Sequence, residues 1–175
     1  MEIKVEKLSK KFNDVFAVDN INFSITKNKT IGLLGPNGCG KTTSIGMMLG
    51  LIKPTSGLIK INDQDINEID KTKILNQINF ASPYIELPKK LTVRQNLEVY
   101  ARLYEIKDIE KRISEICLDL NLNLFLDKMT GQLSSGQKNR VSLAKSLINK
   151  PKILFLDEPT ASLDPDVGDF VREYI

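Results

Sequence analysis

A glycine-rich segment at residues 35–42 constrains the fold of this chain more than any other feature. The segment, GPNGCGKT, matches the pattern G-x-x-x-x-G-K-[S/T]. The apolar run at 30–34 before it predicts a buried parallel strand. Residues 42–51 after it carry Ile45, Met48 and Leu49 at helical spacing. A strand, a glycine loop and a helix in this order predict a phosphate-binding P-loop.

The residue types in this segment explain how it would hold a phosphate. Glycines let successive backbone N–H groups turn inward around a β-phosphate, and the helix adds the positive end of its dipole. Lys41 would reach β- and γ-phosphate oxygens, and the Thr42 hydroxyl would ligate Mg²⁺. The alternative is a glycine turn without a ligand. The predicted nucleotide-binding residues are Gly35, Pro36, Asn37, Gly38, Cys39, Gly40, Lys41, Thr42 and Thr43.

An acidic pair follows a second apolar run. Residues 152–156 (KILFL) predict a strand buried on both faces, and Asp157 and Glu158 come directly after it. Open α/β sheets place ligands at the carboxyl ends of their strands. Asp157 is therefore predicted to hold Mg²⁺ through water, and Glu158 to orient or deprotonate an attacking water. The pair alone also suits an acidic loop without chemistry.

The remaining patterns predict the elements around these motifs. Alternation at 2–8 and 17–25 predicts strands, and residues 58–61 predict another after the turn at 53–57. Thr92 with Gln95 and Ser134 with Gln137 are capping boxes, and Asp108 caps a further helix. Residues from about 84 to 138 therefore predict a helical insertion.

Composition excludes several classes of site and partner. Hydrophobic residues make up 41% of the 175 residues and charged residues 27%, which is typical of a soluble globular protein. The formal net charge of +3 gives no case for a nucleic-acid partner. With no histidine and two cysteines without metal-ligand spacing, a zinc site or a histidine triad is excluded. Such cysteines suit a reducing cytosol.

The motifs together resemble those of the ATP-binding cassette (ABC) family of ATPases. GPNGCGKTT, LSSGQ, ILFLDEPT and SLD occur in the family's order; LSSGQ at 133–137 is similar to the family signature, and 162–164 to its D-loop. The resemblance implies an α/β P-loop NTPase with a RecA-like parallel core, an N-terminal antiparallel β-subdomain and an inserted helical subdomain. It implies one domain over 1–175, divided into the β-subdomain and P-loop core (1–83), the helical subdomain with the signature (84–138), and the signature helix, Walker B strand and D-loop (139–175).

The resemblance also implies roles for single residues. Phe12 falls where the family has an aromatic that stacks on adenine, although a lone phenylalanine would also suit a core. Ser134, Gly136 and Gln137 would meet the γ-phosphate of ATP held by a second, head-to-tail copy. ATP and Mg²⁺ are the implied cofactors.

Three departures from the family pattern bear on activity. Pro83 stands where the family's Q-loop glutamine is expected, and Ser135 replaces a signature glycine. The chain has no switch histidine. We therefore expect an incomplete domain, with residues 166–175 leading toward a strand that the chain lacks.

The implied function is an ATP-binding and ATP-hydrolysing subunit that energises transport through a separate membrane permease. It would work as a dimer, most simply a homodimer, in the cytoplasm on the inner face of the membrane. Two alternatives remain open: a nucleotide-binding module without hydrolysis, and a soluble ABC ATPase outside transport.

Overall fold

The computed structural model describes residues 1–68, 71–82 and 86–158. The chain divides into two compact units, Met1–Leu75 and Asn76–Ile175, each described here by itself. Pro83, the D-loop at 162–164 and the helix expected at 166–175 lie outside the described residues.

The first unit is built on an antiparallel sheet. Its strands are β1 (Ile3–Phe12), β2 (Val15–Ile25), β3 (Ser56–Ile61) and β4 (Gln64–Asp65), in the order β2-β1-β3-β4. The three strands predicted here are confirmed, whereas β4 was not predicted. Alternate residues of β1 and β3 face the core, since Ile3, Val5, Ile59 and Ile61 are buried.

Helix α1 (Lys41–Met48) follows the glycine segment as predicted. Ile45, Met48 and Leu49, the predicted apolar face, are all buried. The helix stops before residue 51 because Gly50 adopts a left-handed conformation with φ 69°, which ends a helix readily. A short helix, α2 (Lys71–Leu75), closes this unit.

The strand predicted at residues 30–34 is wrong for this structure. These residues have no strand conformation. Their apolar side chains are exposed, with Leu34 at 94% and Ile31 at 46%. An apolar run predicts burial, but a strand also needs neighbours for its backbone N–H and C=O groups. Among the described residues, no strand pairs with 30–34.

The glycine segment packs directly on β2. Gly40 has φ +93°, and a Cβ at this position would lie 2.1 Å from the Ala17 carbonyl oxygen and 2.9 Å from Val18 Cγ2. Only a residue without a side chain permits this approach. The contact fixes the start of α1 against β2, close to the turn of the β1–β2 hairpin.

The second unit combines a parallel strand pair with helices. Strands β5 (Ile78–Ala81) and β6 (Ile153–Leu156) pair in parallel, with Ile78 opposite Ile153 and Ala81 opposite Leu156. The helices α3 (Val93–Leu103), α4 (Ile109–Asp119) and α5 (Ser135–Leu147) lie between them in sequence, as a parallel crossover requires. In β6 only Phe155 is buried and its neighbours are half-buried, so the prediction of burial on both faces is only partly met.

The three predicted helix starts are confirmed. Thr92 and Ser134 form complete capping boxes with Gln95 and Gln137, and the Asp108 side chain accepts a hydrogen bond from the Lys111 N–H. The apolar faces of the three helices meet in one core, which also includes Phe125 of a 3-10 turn at Asn123–Phe125. A second 3-10 turn lies at Thr130–Gln132. The largest fully buried side chains of this core are Leu97, Ile113, Ile116, Leu120, Leu122 and Ile148.

Within the described parts of the chain, none of the helices combines the length and the apolar character that a membrane crossing requires.

We expect Gly40→Ala to destabilise the fold more than Gly38→Ala. Both glycines have positive φ, which costs an alanine about 1–2 kcal/mol. A Cβ at Gly38 meets no atom within 4 Å, whereas one at Gly40 would displace the backbone of β2. Urea denaturation of both variants measures the difference. Equal losses would show that the approach of Ala17 adds nothing to the backbone strain.

We expect Leu97→Ala to lower the free energy of unfolding by about 2–5 kcal/mol, because it leaves a cavity in the helical core. Leu103 lies on the same helix but is 69% exposed, so Leu103→Ala should change stability by less than about 0.5 kcal/mol. Thermal or urea unfolding distinguishes the two. A large loss in the Leu103 variant would contradict the burial described here.

Candidate functional site

The segment at 35–42 forms a loop that opens onto the N-terminus of α1. Gly35, Gly38 and Gly40 all have positive φ, so the backbone turns through conformations that L-residues rarely adopt. A Cβ at Gly35 would lie 2.5 Å from Cys39 Sγ, so that side chain occupies the space a larger residue would need. The backbone contact with β2 therefore requires glycine at position 40, and the positive φ values favour glycine at positions 35 and 38.

The start of α1 differs from the starts of α3, α4 and α5 in having no side-chain cap. Side chains cap α3, α4 and α5. The first-turn N–H groups of a helix have no acceptor within it, so an uncapped N-terminus is a site for an anion. The first turn of α1 also carries no acidic residue that would repel one.

The Lys41 side chain folds back over the loop. Its ammonium donates to the carbonyl oxygens of Gly35 at 2.8 Å and Pro36 at 3.0 Å, and lies 3.9 Å from Cys39 Sγ. These contacts hold the positive charge at the mouth of the loop. Thr42 and Thr43 follow in the first turn of the helix. The loop therefore places the Lys41 cation beside the start of a helix without a side-chain cap, and its sequence supplies the hydroxyl residues that a polyphosphate site uses.

Phe12 lies at the end of β1 and is not a core residue, since 49% of it is exposed. It pairs with Val15 across the hairpin, and Lys10 pairs with Val18. Residues two apart on a strand project from one face, so Lys10, Phe12 and Val18 share a face. That face is the one that meets Gly40 through Val18. The exposed ring thus belongs to the side of the hairpin that carries the loop.

The acidic pair ends β6 in the second unit. The Asp157 N–H donates to the Ala81 carbonyl at 2.9 Å, which extends the parallel pairing by one residue. Asp157 is buried, with 6% exposed, while Glu158 is exposed. Glu158 also has φ 47°, a left-handed conformation that costs a non-glycine residue about 1–2 kcal/mol. Strain of this kind is concentrated at functional sites.

The signature segment, residues 133–137, forms the start of α5. The Ser134 hydroxyl accepts from the Gln137 N–H at 3.2 Å, and Gln137 Oε1 accepts from the Ser134 N–H at 3.1 Å. Gly136 is buried within the first turn, while Ser134 and Ser135 are exposed. The first turn has no acidic residue. The signature therefore presents an exposed, preformed helix N-terminus, with the serine that replaces glycine on its outer side.

The other end of α5 is fastened by side chains from three elements. Arg112 of α4 donates to the Ile148 carbonyl at 3.0 Å and also to the Leu147 carbonyl. Lys145 of α5 donates to the Phe80 carbonyl of β5 at 3.3 Å. Asn79 of that strand donates to Asn149 Oδ1 at 2.9 Å. Burial lowers the pKa of Lys145, which shows how closely α5 packs here. The signature helix is thus held rigidly to β5 and α4.

The described residues contain no group of three or more His, Cys, Asp or Glu side chains that would by itself hold a metal ion. Mg²⁺ usually takes one or two protein oxygens and completes its shell with phosphates and water. Thr42 of the first unit and the buried Asp157 of the second are each oxygen donors of the type that Mg²⁺ binds. Binding of Mg²⁺ by these residues stays a prediction.

The sequence analysis did not predict a contact between Phe12 and a neighbouring lysine. The Lys10 ammonium lies over the Phe12 ring, 4.9 Å from its centroid. Alternation along β1 was the available signal, because a lysine two residues from an exposed aromatic shares its face.

The chain is similar to many transporter proteins. The family model described as ABC transporter matches residues 18–161. The probable multidrug ABC transporter ATP-binding protein YbhF of Escherichia coli K12 is 38% identical over 93% of this chain. The chain spans 28% of that relative's length. A probable sulfate/thiosulfate import ATP-binding protein CysA of Chlorella vulgaris is 36% identical over the whole chain, which covers 74% of it.

Solved structures agree with the sequence matches. An ATP-binding cassette solved as a dimer in a post-hydrolysis state with ADP and Pi superposes with a TM-score of 0.88 at 28% identity, covering 98% of this chain and 80% of that one. CbiO1 of Clostridium perfringens, part of an ABC transporter complex, gives a TM-score of 0.84 at 31% identity, covering 98% and 71%. With its P-loop NTPase fold and its match over residues 18–161, the chain belongs to the ABC transporter family of ATP-binding cassettes.

Proposed function

We propose that this chain binds ATP at residues 35–43 and hydrolyses it to energise transport through a separate membrane permease. The observation that carries the proposal is the loop itself, with three glycines at positive φ leading into an uncapped helix and Lys41 held at its mouth. The family match gives the context, since the relatives named above are ATP-binding proteins of transporters.

The roles of the residues follow from their chemistry. Backbone N–H groups between Asn37 and Thr43 surround the β-phosphate, since Pro36 has no N–H, and Lys41 exchanges its carbonyl partners for β- and γ-phosphate oxygens. Thr42 and Asp157 hold Mg²⁺, the latter through water, and the ion neutralises the phosphate charge when bound. Glu158 orients or deprotonates the attacking water. Phe12 offers its exposed ring to adenine.

Two copies are needed to complete the site. In the proposed head-to-tail dimer, Ser134, Gly136 and Gln137 approach the γ-phosphate of ATP bound to the partner. The N-terminus of a helix contributes about 0.3–1 kcal/mol to binding an anion, and up to ~2 kcal/mol when partly buried. The signature therefore completes a site that the loop has already formed. Support comes from the exposed start of α5 and from the relative solved as a dimer.

The proposal also assigns roles to three segments of the chain and a cellular location to the subunit. The three segments 1–83, 84–138 and 139–175 act as the β-subdomain with the P-loop core, the helical subdomain, and the signature helix with the Walker B strand. The subunit lies at the inner face of the membrane, in contact with a permease. CbiO1, a structural neighbour described as part of an ABC transporter complex, supports the proposed association with a transporter.

A nucleotide-binding module without hydrolysis is the second candidate. The sequence contains no histidine, so it offers no imidazole to contact a γ-phosphate. Glu158, an exposed carboxylate at the end of β6, favours hydrolysis, because a carboxylate there can orient or deprotonate an attacking water.

We expect Lys41→Ala to weaken MgATP binding by about 10- to 100-fold or more, because a charged hydrogen-bond donor is lost from the loop. Isothermal titration with MgATP measures this. Lys27→Ala, in the exposed turn after β2, is the matched control and should bind as the unsubstituted chain does. Unchanged affinity in the Lys41 variant would remove the P-loop assignment.

We expect Glu158→Gln to slow ATP hydrolysis by about 10²–10⁴-fold and to accumulate an ATP-bound dimer. Glu105→Gln is the control, since Glu105 also has a left-handed φ, of 54°, outside the proposed site. Phosphate release and light scattering follow the two effects. If the unsubstituted chain binds MgATP but releases no phosphate, the non-hydrolysing module is correct instead.

A further inference from the structure

The Lys10 side chain connects two parts of the first unit at the Phe12 ring. Its ammonium lies 4.9 Å from the ring centroid, within the range of a cation–π interaction. The same ammonium donates to the Lys53 carbonyl at 2.9 Å. Lys53 belongs to the turn that follows α1, and Thr55 of that turn donates its N–H to the Ser9 carbonyl. The cation that covers the ring is therefore anchored to the turn that leaves the P-loop helix.

The Lys10 ammonium covers one face of the Phe12 ring and leaves the other face available to a ligand. Lys10 is half-buried while Phe12 is 49% exposed. An aromatic ring at a strand end loses rotational freedom when it stacks on a ligand, and that loss weakens binding. A cation fixed over one face reduces the loss, because the ring is already held in one orientation.

The hairpin carries a second lysine–phenylalanine pair that is geometrically similar. Lys11 lies 5.6 Å from the Phe16 ring centroid, and these two residues pair directly across the strands. Since Lys11 neighbours Phe12 on β1, its side chain projects from the opposite face. The Lys11 ammonium pairs with Asp14 at 3.3 Å. This pair has the same chemistry but lies on the face of the hairpin that does not carry Val18 and the loop.

We propose that Lys10 is a positioning residue for the adenine base. It holds the Phe12 ring so that the uncovered face stacks on the base of ATP. The proposal rests on the proposed binding of ATP at residues 35–43, and it adds that base recognition depends on a cation that contacts the Phe12 ring and not the base itself. Lys11 has no such role.

The test compares a ligand with a base and one without. MgATP and magnesium tripolyphosphate are titrated against the chain and its Lys10→Met variant, which keeps an unbranched stem and loses the charge. We expect MgATP affinity to fall about two- to fivefold, while tripolyphosphate affinity is unchanged because that ligand has no base. Lys10→Arg should restore MgATP affinity, since a guanidinium also lies over aromatic rings. Lys11→Met, the matched control, should alter neither affinity.

A double substitution separates positioning from a general effect of charge. Phe12→Leu should weaken MgATP by about fivefold or more, the range of base stacking, and adding Lys10→Met to it should cause no further loss. The proposal is overturned if Lys10→Met weakens tripolyphosphate as much as MgATP, if Lys11→Met has the same effect, or if MgATP affinity stays unchanged. If the unsubstituted chain binds neither ligand, the proposed function fails together with this inference. If it binds both and only Lys10→Met is silent, the proposed function stands.

Discussion

The contact between Gly40 and the backbone of β2 is the constraint on which the candidate nucleotide site depends. A Cβ at Gly40 would lie 2.1 Å from the Ala17 carbonyl, so the loop and the hairpin meet without a side chain between them. This places the N-terminus of α1 beside the hairpin face that carries Val18, Lys10 and Phe12. The candidate phosphate-binding loop and the exposed ring thereby lie on one side of the hairpin. The positive φ and the close packing against β2 both favour a residue without a side chain at position 40, which explains the glycine there.

Helix N-termini serve two purposes in this chain. Helix α1 begins at a glycine and has no side-chain cap, so its first turn is available to an anion. Helix α5 begins with a complete capping box and so has a stable start without a ligand. Arg112, Lys145 and Asn149 then hold its far end to α4 and β5. A stably capped and anchored helix can present a weak anion site with little loss of entropy on binding.

Much of the fold followed from local patterns. Caps at Thr92, Asp108 and Ser134 located three helices because capping requires a particular side chain at one position. Alternation located β1 and β2, and the residues that follow the turn at 53–57 located β3. The predicted strand at 30–34 failed because an apolar run specifies burial but not a hydrogen-bonded neighbour. Strand β4 and helix α2 were missed because two to five residues carry too little periodicity to be recognised.

By itself, the sequence determined the chemical groups of the site: a glycine loop with Lys41 and Thr42, the Asp157–Glu158 pair, and the LSSGQ helix start. These depend on residue type and short spacing, which a sequence displays directly. Only the tertiary structure decided that Phe12 is exposed, that Lys10 rather than Lys11 shares its face with the loop, and that Glu158 has a left-handed backbone. These properties depend on strand register, on the irregular pairing of β1 with β2 between Lys10 and Lys11, and on contacts between residues distant in the chain. A shift of one residue in the register would turn each side chain of the strand to the opposite face of the sheet.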